Sequence, residues 1–491
     1  MLKIIRSSLY GFLLALSFAP FGLAPFLVFI GLFCRKLYYI QENSSILLHA
    51  FTFTYSFYFL QTYWMPYSIY QNPVVPIFLV PLLACIIPIP FAIFSTISIF
   101  IAKKVHKSFI SYSIGFSFWW AILEYIRSNI FFPFQWALLG YSALYMSYFS
   151  QIFAILGVYM AGLLINLMVT SLFTKNKLYI SINLIVIGAF SVSGYLHQTI
   201  SNTKQLPYIN NVRIIQPYTK FSNAQNYPGQ TFDTIDQLSK SPGEEKVDLL
   251  IWPEGSLPYI FFNSLAEIKI WQSYLPSKSN SSLIFGVERV TDKQYFNSLI
   301  AVNRNNLSIY DKHILIPFGE YVPFISFLPK KIARSTSTGG FSVGKNNNIL
   351  TTNGINILPL ICSESILDHT NFSINSNTKY DFILNISNDS WFSGTLGPEQ
   401  HFALSRIRAI EYGLPVLRAG NSGPSAVINA YGKILKRTKT DIETILDVPI
   451  PSRLVNSTIF FQYGHTFFFI VVILYLIILI AIIIRSRTKK N

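Results

Sequence analysis

Between Gly464 and Ile484 the chain reads GHTFFFIVVILYLIILIAIII, a run without an acidic residue, lysine or arginine. A helix of about 20 such residues matches the hydrocarbon thickness of a bilayer, and water is a poor solvent for it on every side. The same character fills residues 1–200, which are nearly all apolar runs, whereas 205–455 mixes short apolar runs with turns and charge. With 51% hydrophobic and only 12% charged residues over 491 positions, the chain is too apolar for an ordinary soluble protein. The expected organisation is an N-terminal membrane domain at 1–200, a soluble domain at 205–455 and a C-terminal transmembrane helix at 464–485.

A window of about 19 residues places spans near 8–20, 22–40, 45–64, 75–102, 109–130, 145–174 and 178–196, the first two meeting at Pro20 and Pro25. With the closing run this makes about eight spans, seven of them ahead of the soluble domain. Basic residues fall at alternate loops: Lys3 and Arg6, Arg35 and Lys36, Lys103 to Lys107, Lys175 and Lys177, and the tail from Arg485. Lysine and arginine in short loops stay on the cytoplasmic side, so both termini are expected there and the soluble domain outside the cytoplasm. Much of the +16 net charge is therefore topology signal, and no nucleic-acid partner is expected. A basic start, an apolar run and ALSFA imitate a signal peptide, but Pro20 directly after would hinder cleavage. The sequence has no P-loop, dinucleotide fingerprint or metal-ligand cluster, so neither cofactor nor metal is expected.

The middle region carries VDLLIW, SLIFGV, NSLIAV, INILPLI, DFILNIS, LPVLRA and SAVINA, separated by turn residues and Asn-rich loops. Continuous apolar runs of that length suit strands buried on both faces. PEQHFALSRIRAIEYG, 398–413, has helical periodicity with Gly413 as its stop. The region therefore reads as an α/β domain.

Three chemically capable side chains stand just past such runs: Glu254 after LLIWP, Lys312 after LSIYD and Cys362 after ILPLI. In open α/β sheets ligands collect beyond the carboxyl ends of strands. Meeting there, a carboxylate would take the thiol proton, an ammonium would lower the thiol pKa and stabilise an oxyanion, and the thiolate would attack an acyl carbon. Each also has an ordinary reading, as a solvated turn glutamate, a surface lysine and a packed thiol. A papain-like pairing of Cys362 with His313, His369 or His401 is a further alternative. Cys34 and Cys85 lie in apolar spans, so Cys362 is a lone thiol in an outer domain where disulfides need a pair.

The contexts IWPEGSLP, YDKHILIPFGEYVPF and LICSE together resemble the nitrilase superfamily, whose members use a Glu, Lys and Cys triad on an α-β-β-α sandwich. The flanking membrane segments, SNDSWF, EQHFALSRIRAIEYGLPVLRAGNSG and the looser FPFQWALLGY are similar to the apolipoprotein N-acyltransferase family over essentially the full chain. The resemblance implies Glu254 as general base, Lys312 as oxyanion stabiliser and Cys362 as nucleophile, with Glu320 and Glu364 at further acidic positions needed for activity. It also implies a multi-pass protein of the bacterial inner membrane with its catalytic domain on the periplasmic side.

The implied reaction has two steps. Cys362 attacks the ester of a phospholipid, usually phosphatidylethanolamine, giving a thioester and a lysophospholipid; the α-amine of a diacylglyceryl-cysteine apolipoprotein then takes the acyl chain. Transfer to an amine requires that water be kept from the thioester. YWMPYSIY, Tyr63–Tyr70, fits an aromatic headgroup belt or a lipid interface, and SLPYIFF, Ser256–Phe262, fits a lid or a packed loop. Two positions depart from the family: Ser363 stands where tyrosine usually follows the cysteine, and Leu414 where arginine is frequent. Competing readings are a membrane-anchored amidase acting on a small amide, an inactive nitrilase-like scaffold, and a transporter. The last predicts ionisable residues within spans, and Glu124 and Arg127 are the few candidates.

Overall fold

The computed structural model describes residues 2–70, 78–130, 133–205, 211–219, 228–257, 265–292, 294–317, 319–321, 340–345, 348–372, 374 and 378–488. Two compact units divide the chain: Met1–Ser201 with Ser457–Asn491, and Asn202–Asn456.

The first unit is helical. Among the described residues four helical stretches are long and apolar enough to cross a membrane: Leu79–Val105, Ser147–Ser171, Lys177–Ile200 and Thr466–Ser486. Leu178, Ile182, Ile185 and Val192 on the third, and Ile470, Ile473, Ile477 and Ile480 on the fourth, are exposed, which is the pattern of side chains solvated by lipid tails. Other helices fall short of one test. Leu2–Ala15 and Val28–Tyr38 are brief, because the chain turns through Pro20 and Pro25 between them. Asn43–Thr62 and Phe109–Asn129 are long but rich in Ser, Thr, Tyr and Gln.

Those polar groups are used between helices. Ser7 Oγ lies 2.9 Å from His49 Nδ1, and Tyr58 and Ser95 hydroxyls lie 2.9 Å apart, contacts that tie helices together where burial in lipid supplies no hydrophobic gain. Gly11 allows closer approach still, since a Cβ there would meet the Phe53 carbonyl oxygen at 2.1 Å. The closing helix joins the unit through Tyr475, which stacks on Phe118 with ring centroids 4.0 Å apart and meets His106 Nε2 at 2.9 Å.

Glu124 and Arg127, on the helix Phe109–Asn129, also have local partners. Glu124 accepts from the Leu139 N–H at 2.9 Å, and Arg127 donates to the Trp136 carbonyl at 3.1 Å while lying over the Phe91 ring. They hold the 136–139 loop, a structural task that removes the main support for the transporter reading.

Among the described residues the second unit contains fourteen strands: β1 (Thr203–Lys204), β2 (Val212–Gln216), β3 (Leu249–Ile251), β4 (Ser282–Thr291), β5 (Gln294–Asn303), β6 (Leu307–Asp311), β7 (Leu350–Thr352), β8 (Ile355–Ile361), β9 (Phe382–Ser387), β10 (Val416–Gly420), β11 (Ala426–Ile428), β12 (Ile434–Arg437), β13 (Thr444–Val448) and β14 (Arg453–Leu454). Short β1 and β14 pair with each other, and the rest form two six-stranded sheets ordered β13-β2-β3-β4-β5-β6 and β12-β11-β10-β9-β8-β7. Each has a parallel trio at its centre, β2-β3-β4 in one and β8-β9-β10 in the other, with antiparallel strands outside.

Side-chain alternation along these strands decides the layering. Ile214, Ile251 and Ile284 of the first sheet share one core with Ile361, Ile386 and Leu417 of the second, so the sheets face each other. Their neighbours Ile215, Leu250, Leu283 and Phe285 point the other way, against Ile235 and Trp271 of the helices Pro228–Ser239 and Leu265–Ser273. This is why the strands read as unbroken apolar runs. Burying each such side chain contributes about 1.5–3 kcal/mol, a reserve against which the buried charges described below are held. The helix Gly397–Tyr412 starts at Pro398 and ends where Gly413 adopts φ 67°, a left-handed cap that a side chain would strain.

Candidate active site

Three strand ends supply the centre. Glu254 stands three residues past β3, on a backbone kept in line with β4 by the Trp252 N–H donating to the Ile284 carbonyl at 2.8 Å and the Ser256 N–H to the Gly286 carbonyl at 3.2 Å. Lys312 directly follows β6, its own N–H donating to the Asn297 carbonyl of β5 at 2.8 Å. Cys362 directly follows β8 and opens a short 3-10 turn, Cys362–Ile366. Its φ of 50° is left-handed, a conformation that costs a non-glycine residue roughly 1–2 kcal/mol.

A hydrogen-bond network links the acidic positions to the lysine. The Asn297 side-chain amide donates to Glu254 Oε1 at 2.8 Å and to Glu320 Oε1 at 3.1 Å. Lys312 Nζ donates to that same Glu320 oxygen at 2.7 Å, and the Ile316 N–H to Glu320 Oε2 at 2.8 Å. From the other sheet, the Asn388 N–H past β9 donates to Glu254 Oε2 at 2.8 Å. An ammonium has three N–H groups; with one on Glu320, the others have no protein acceptor among the described residues, which suits a site for a developing oxyanion.

Glu364 is fully buried and otherwise employed. Its carboxylate accepts from the Tyr310 hydroxyl at 3.0 Å, from the His313 and Ile314 N–H groups at 2.8 and 3.2 Å, and from the Ile361 N–H at 2.8 Å. It pins the turn after Lys312 to the turn bearing Cys362. Burial pushes it up to about 7, opposed by Lys312 and those N–H donors.

The charges act on one another. Burial and the nearby Glu320 push the Glu254 carboxyl up, while Lys312 and the two hydrogen bonds pull it down, with a net rise. Burial penalises the Lys312 ammonium, but Glu320, Cys362 and Glu254 together hold its pKa above the usual value. Burial and the Glu254 charge push the Cys362 thiol up, and Lys312 offsets them only in part. The ammonium therefore does not by itself yield a resting thiolate, which the sequence reading allowed.

Of the three histidines considered, His313 packs its ring on Tyr310 and His369 on Tyr412. His401 meets Cys362 at the backbone carbonyl, its Nε2 lying 3.1 Å from that oxygen. Ser363 is part-exposed and Leu414 is buried; the segment 258–262 of the expected lid and Phe132 of FPFQWALLGY lie outside the described residues. Sequence reasoning missed Asn297 and Asn388, which hold Glu254, and the buried pair Asp389 and Arg418, whose Nη2 donates to Asp389 Oδ2 at 2.7 Å. The quoted SNDSWF motif contains two of them, a signal that carried no role without geometry.

Gly286 sets the closeness of this packing. A Cβ there would lie 2.7 Å from the Glu254 Cα, 2.9 Å from the Pro253 carbonyl oxygen and 2.7 Å from Ile386 Cδ1. Gly286→Ala is therefore expected to push Glu254 out of line and slow acylation of Cys362 about tenfold to a hundredfold. Overpacking should also cost about 1–3 kcal/mol. Single-turnover labelling beside a thermal melt checks this; an unchanged rate in a destabilised protein would show that the clash relaxes away from the site.

Residues 212–460 match the carbon-nitrogen hydrolase family and residues 10–171 the apolipoprotein N-acyltransferase N-terminal domain. The apolipoprotein N-acyltransferase of Rickettsia typhi is 28% identical over 93% of this chain and 94% of its own. That of Rickettsia bellii is 30% identical over 94% of both. The chain belongs to the apolipoprotein N-acyltransferase family. Family membership makes it an acyltransferase with a carbon-nitrogen hydrolase domain and apolar helices suited to a bacterial membrane. The family relative from Brucella melitensis is 29% identical over 76% of this chain and 73% of its own.

Proposed function

We propose that this chain moves a fatty acyl group from a membrane phospholipid to the N-terminal amine of a diacylglyceryl-cysteine apolipoprotein, by way of a thioester on Cys362. The observation that carries the reading is the network joining Glu254, Asn297, Glu320 and Lys312 beside the strand end that bears Cys362. Because burial keeps the thiol protonated at rest, the proton leaves as the bond forms. Glu254, whose raised pKa makes it a better acceptor, takes it while sulfur attacks the ester carbonyl. The oxyanion forms against Lys312 Nζ. Collapse expels the glycerol oxygen, which recovers the proton from Glu254 and departs as a lysophospholipid. In the second half the neutral acceptor amine attacks the thioester, Glu254 takes the amine proton, and Cys362 leaves and is reprotonated. Two sequential transfers through one covalent intermediate give a ping-pong scheme.

In this reading residues 1–200 and 464–485 supply about eight spans, 205–455 is the catalytic domain on the periplasmic side, both termini are cytoplasmic, and the donor is phosphatidylethanolamine. The alternation of basic loops supports the topology.

The test is intact-mass analysis of the purified protein in detergent with phosphatidylethanolamine and no acceptor. The expected product gains one fatty acyl chain, is cleaved by hydroxylamine, maps to the Cys362 peptide, and is discharged by a diacylglyceryl-cysteine peptide. An unmodified protein with intact lipid, together with hydrolysis of a small amide, would move the assignment to a membrane-anchored amidase.

A further inference from the structure

Beneath Cys362 lies a second polar cluster that the acyl-transfer scheme does not use. His401, on the helix Gly397–Tyr412, places Nδ1 2.8 Å from Asp389 Oδ1 and Nε2 3.1 Å from the Cys362 carbonyl oxygen and 3.0 Å from Ser365 Oγ. The Ser365 hydroxyl donates to that carbonyl as well, at 3.0 Å. Asp389 in turn accepts from Arg418 Nη2 at 2.7 Å and from the Ser387 hydroxyl at 2.9 Å, and Arg418 Nη1 donates to Asn385 Oδ1. Asp389 and Arg418 are almost wholly buried, and His401 is 5% exposed. Burial disfavours the Asp389 carboxylate, yet Arg418 and His401 hold its pKa well below the usual range.

This geometry has a direction. A carbonyl oxygen and a carboxylate both only accept, so His401 holds Cys362 and Asp389 together when both of its ring nitrogens donate, Nε2 to the carbonyl and Nδ1 to a carboxylate that is itself fixed by a buried guanidinium. The carbonyl so held belongs to the one site residue with a left-handed backbone, φ 50°. Unfavourable backbone conformations persist where surrounding contacts over-determine them. Rotation of the 362–363 peptide out of this conformation would carry the carbonyl away from both donors and re-aim the side chain of Cys362.

We propose that His401 is a positioning residue: held by Asp389 and Arg418, it clamps the Cys362 carbonyl and thereby aims the thiol. The inference rests on Cys362 as the nucleophile. It extends that reading to a group that touches neither lipid nor acceptor.

The experiment compares His401→Ala, His401→Asn and His401→Gln in the full-length protein, with phosphatidylethanolamine in detergent as acyl donor. An asparagine amide reaches the place of Nδ1 and can keep the bond to Asp389; a glutamine amide reaches the place of Nε2 and can keep the bond to Cys362. The acylation rate constant is expected to fall about 100-fold in the Ala and Asn variants and to stay within about tenfold of the parent in Gln. The half-saturating lipid concentration should not change in any of them. Alkylation of Cys362 by iodoacetamide, which needs no lipid, should keep the parental rate in Gln and depart from it in Asn. If Asn and Gln behave alike, or if rate loss simply follows the unfolding midpoint across the series, the positioning role is wrong. If the parent forms no thioester, the acyl-transfer reading fails, and the alkylation order still decides the clamp.

Discussion

Replacing Lys312 with methionine is expected to slow thioester formation on Cys362 about a thousandfold and to lower stability by about 3–5 kcal/mol. The rate falls because the N–H groups not taken by Glu320 are the donors available to the oxyanion. Stability falls because Glu254 and Glu320, joined through the two N–H groups of Asn297, then face each other as like charges with no ammonium between them. The variant relieves this by binding a proton. A carboxyl whose folded pKa is raised contributes stability that is fully present below its unfolded value and is lost as pH rises through the folded one. The melting deficit against the parent should therefore be small near about pH 5 and grow toward about pH 8. Thermal melts across that range, beside single-turnover acylation, make the check. A variant that melts like the parent at every pH and acylates within tenfold of it would remove Lys312 from the mechanism.

Glu254→Gln should cost about 10²–10⁴-fold in acylation, the usual contribution of a positioned base. The amide keeps the shape but presents one N–H pair to a donor, since Asn297 and the Asn388 N–H approach the two carboxylate oxygens separately. The pH profile separates loss of the base from misplacement. The base must be ionised to accept the thiol proton, and its pKa is raised above the ordinary 4.5, so the parental rate should climb with pH on a limb lying above that value. The limb should vanish in the Gln variant. A limb that persists unchanged would assign it to another group, with Glu364, at about 7, the first to examine.

How far the sequence carries toward this site depends on the kind of information each residue holds. Strand ends were legible, because runs such as ILPLI and DFILNIS announce strands buried on both faces, and a polar residue directly after one stands at a sheet edge. The helix stop at Gly413 was legible for a local reason too, since the left-handed cap needs glycine. The pairing of Asn297 with Glu254, of Asn388 with Glu254 and of Arg418 with Asp389 was not. Those bonds depend on which strand lies beside which, β10 beside β9 and β5 between β4 and β6, an order set by long-range contacts. His401 was considered for the thiol, and it does meet Cys362, but through a main-chain atom that no residue code displays. The helical unit shows the opposite limit. Hydropathy finds Lys177–Ile200 and the closing helix easily, whereas Asn43–Thr62 hides its packing behind polar groups that bond to other helices.

Glu254 is gripped by Asn297 from one sheet and by Asn388 from the other, while Cys362 ends a strand of the second sheet on a turn that Glu364 pins to the first. The distance between proton acceptor and sulfur is thus set by the thickness of the hydrocarbon filling between the sheets. Ile386, which nearly touches the place a Gly286 Cβ would occupy, is part of that filling. Core volume in this domain is then a kinetic variable as well as a folding one, and exchanges such as isoleucine for valine far from any substrate become a means of tuning turnover.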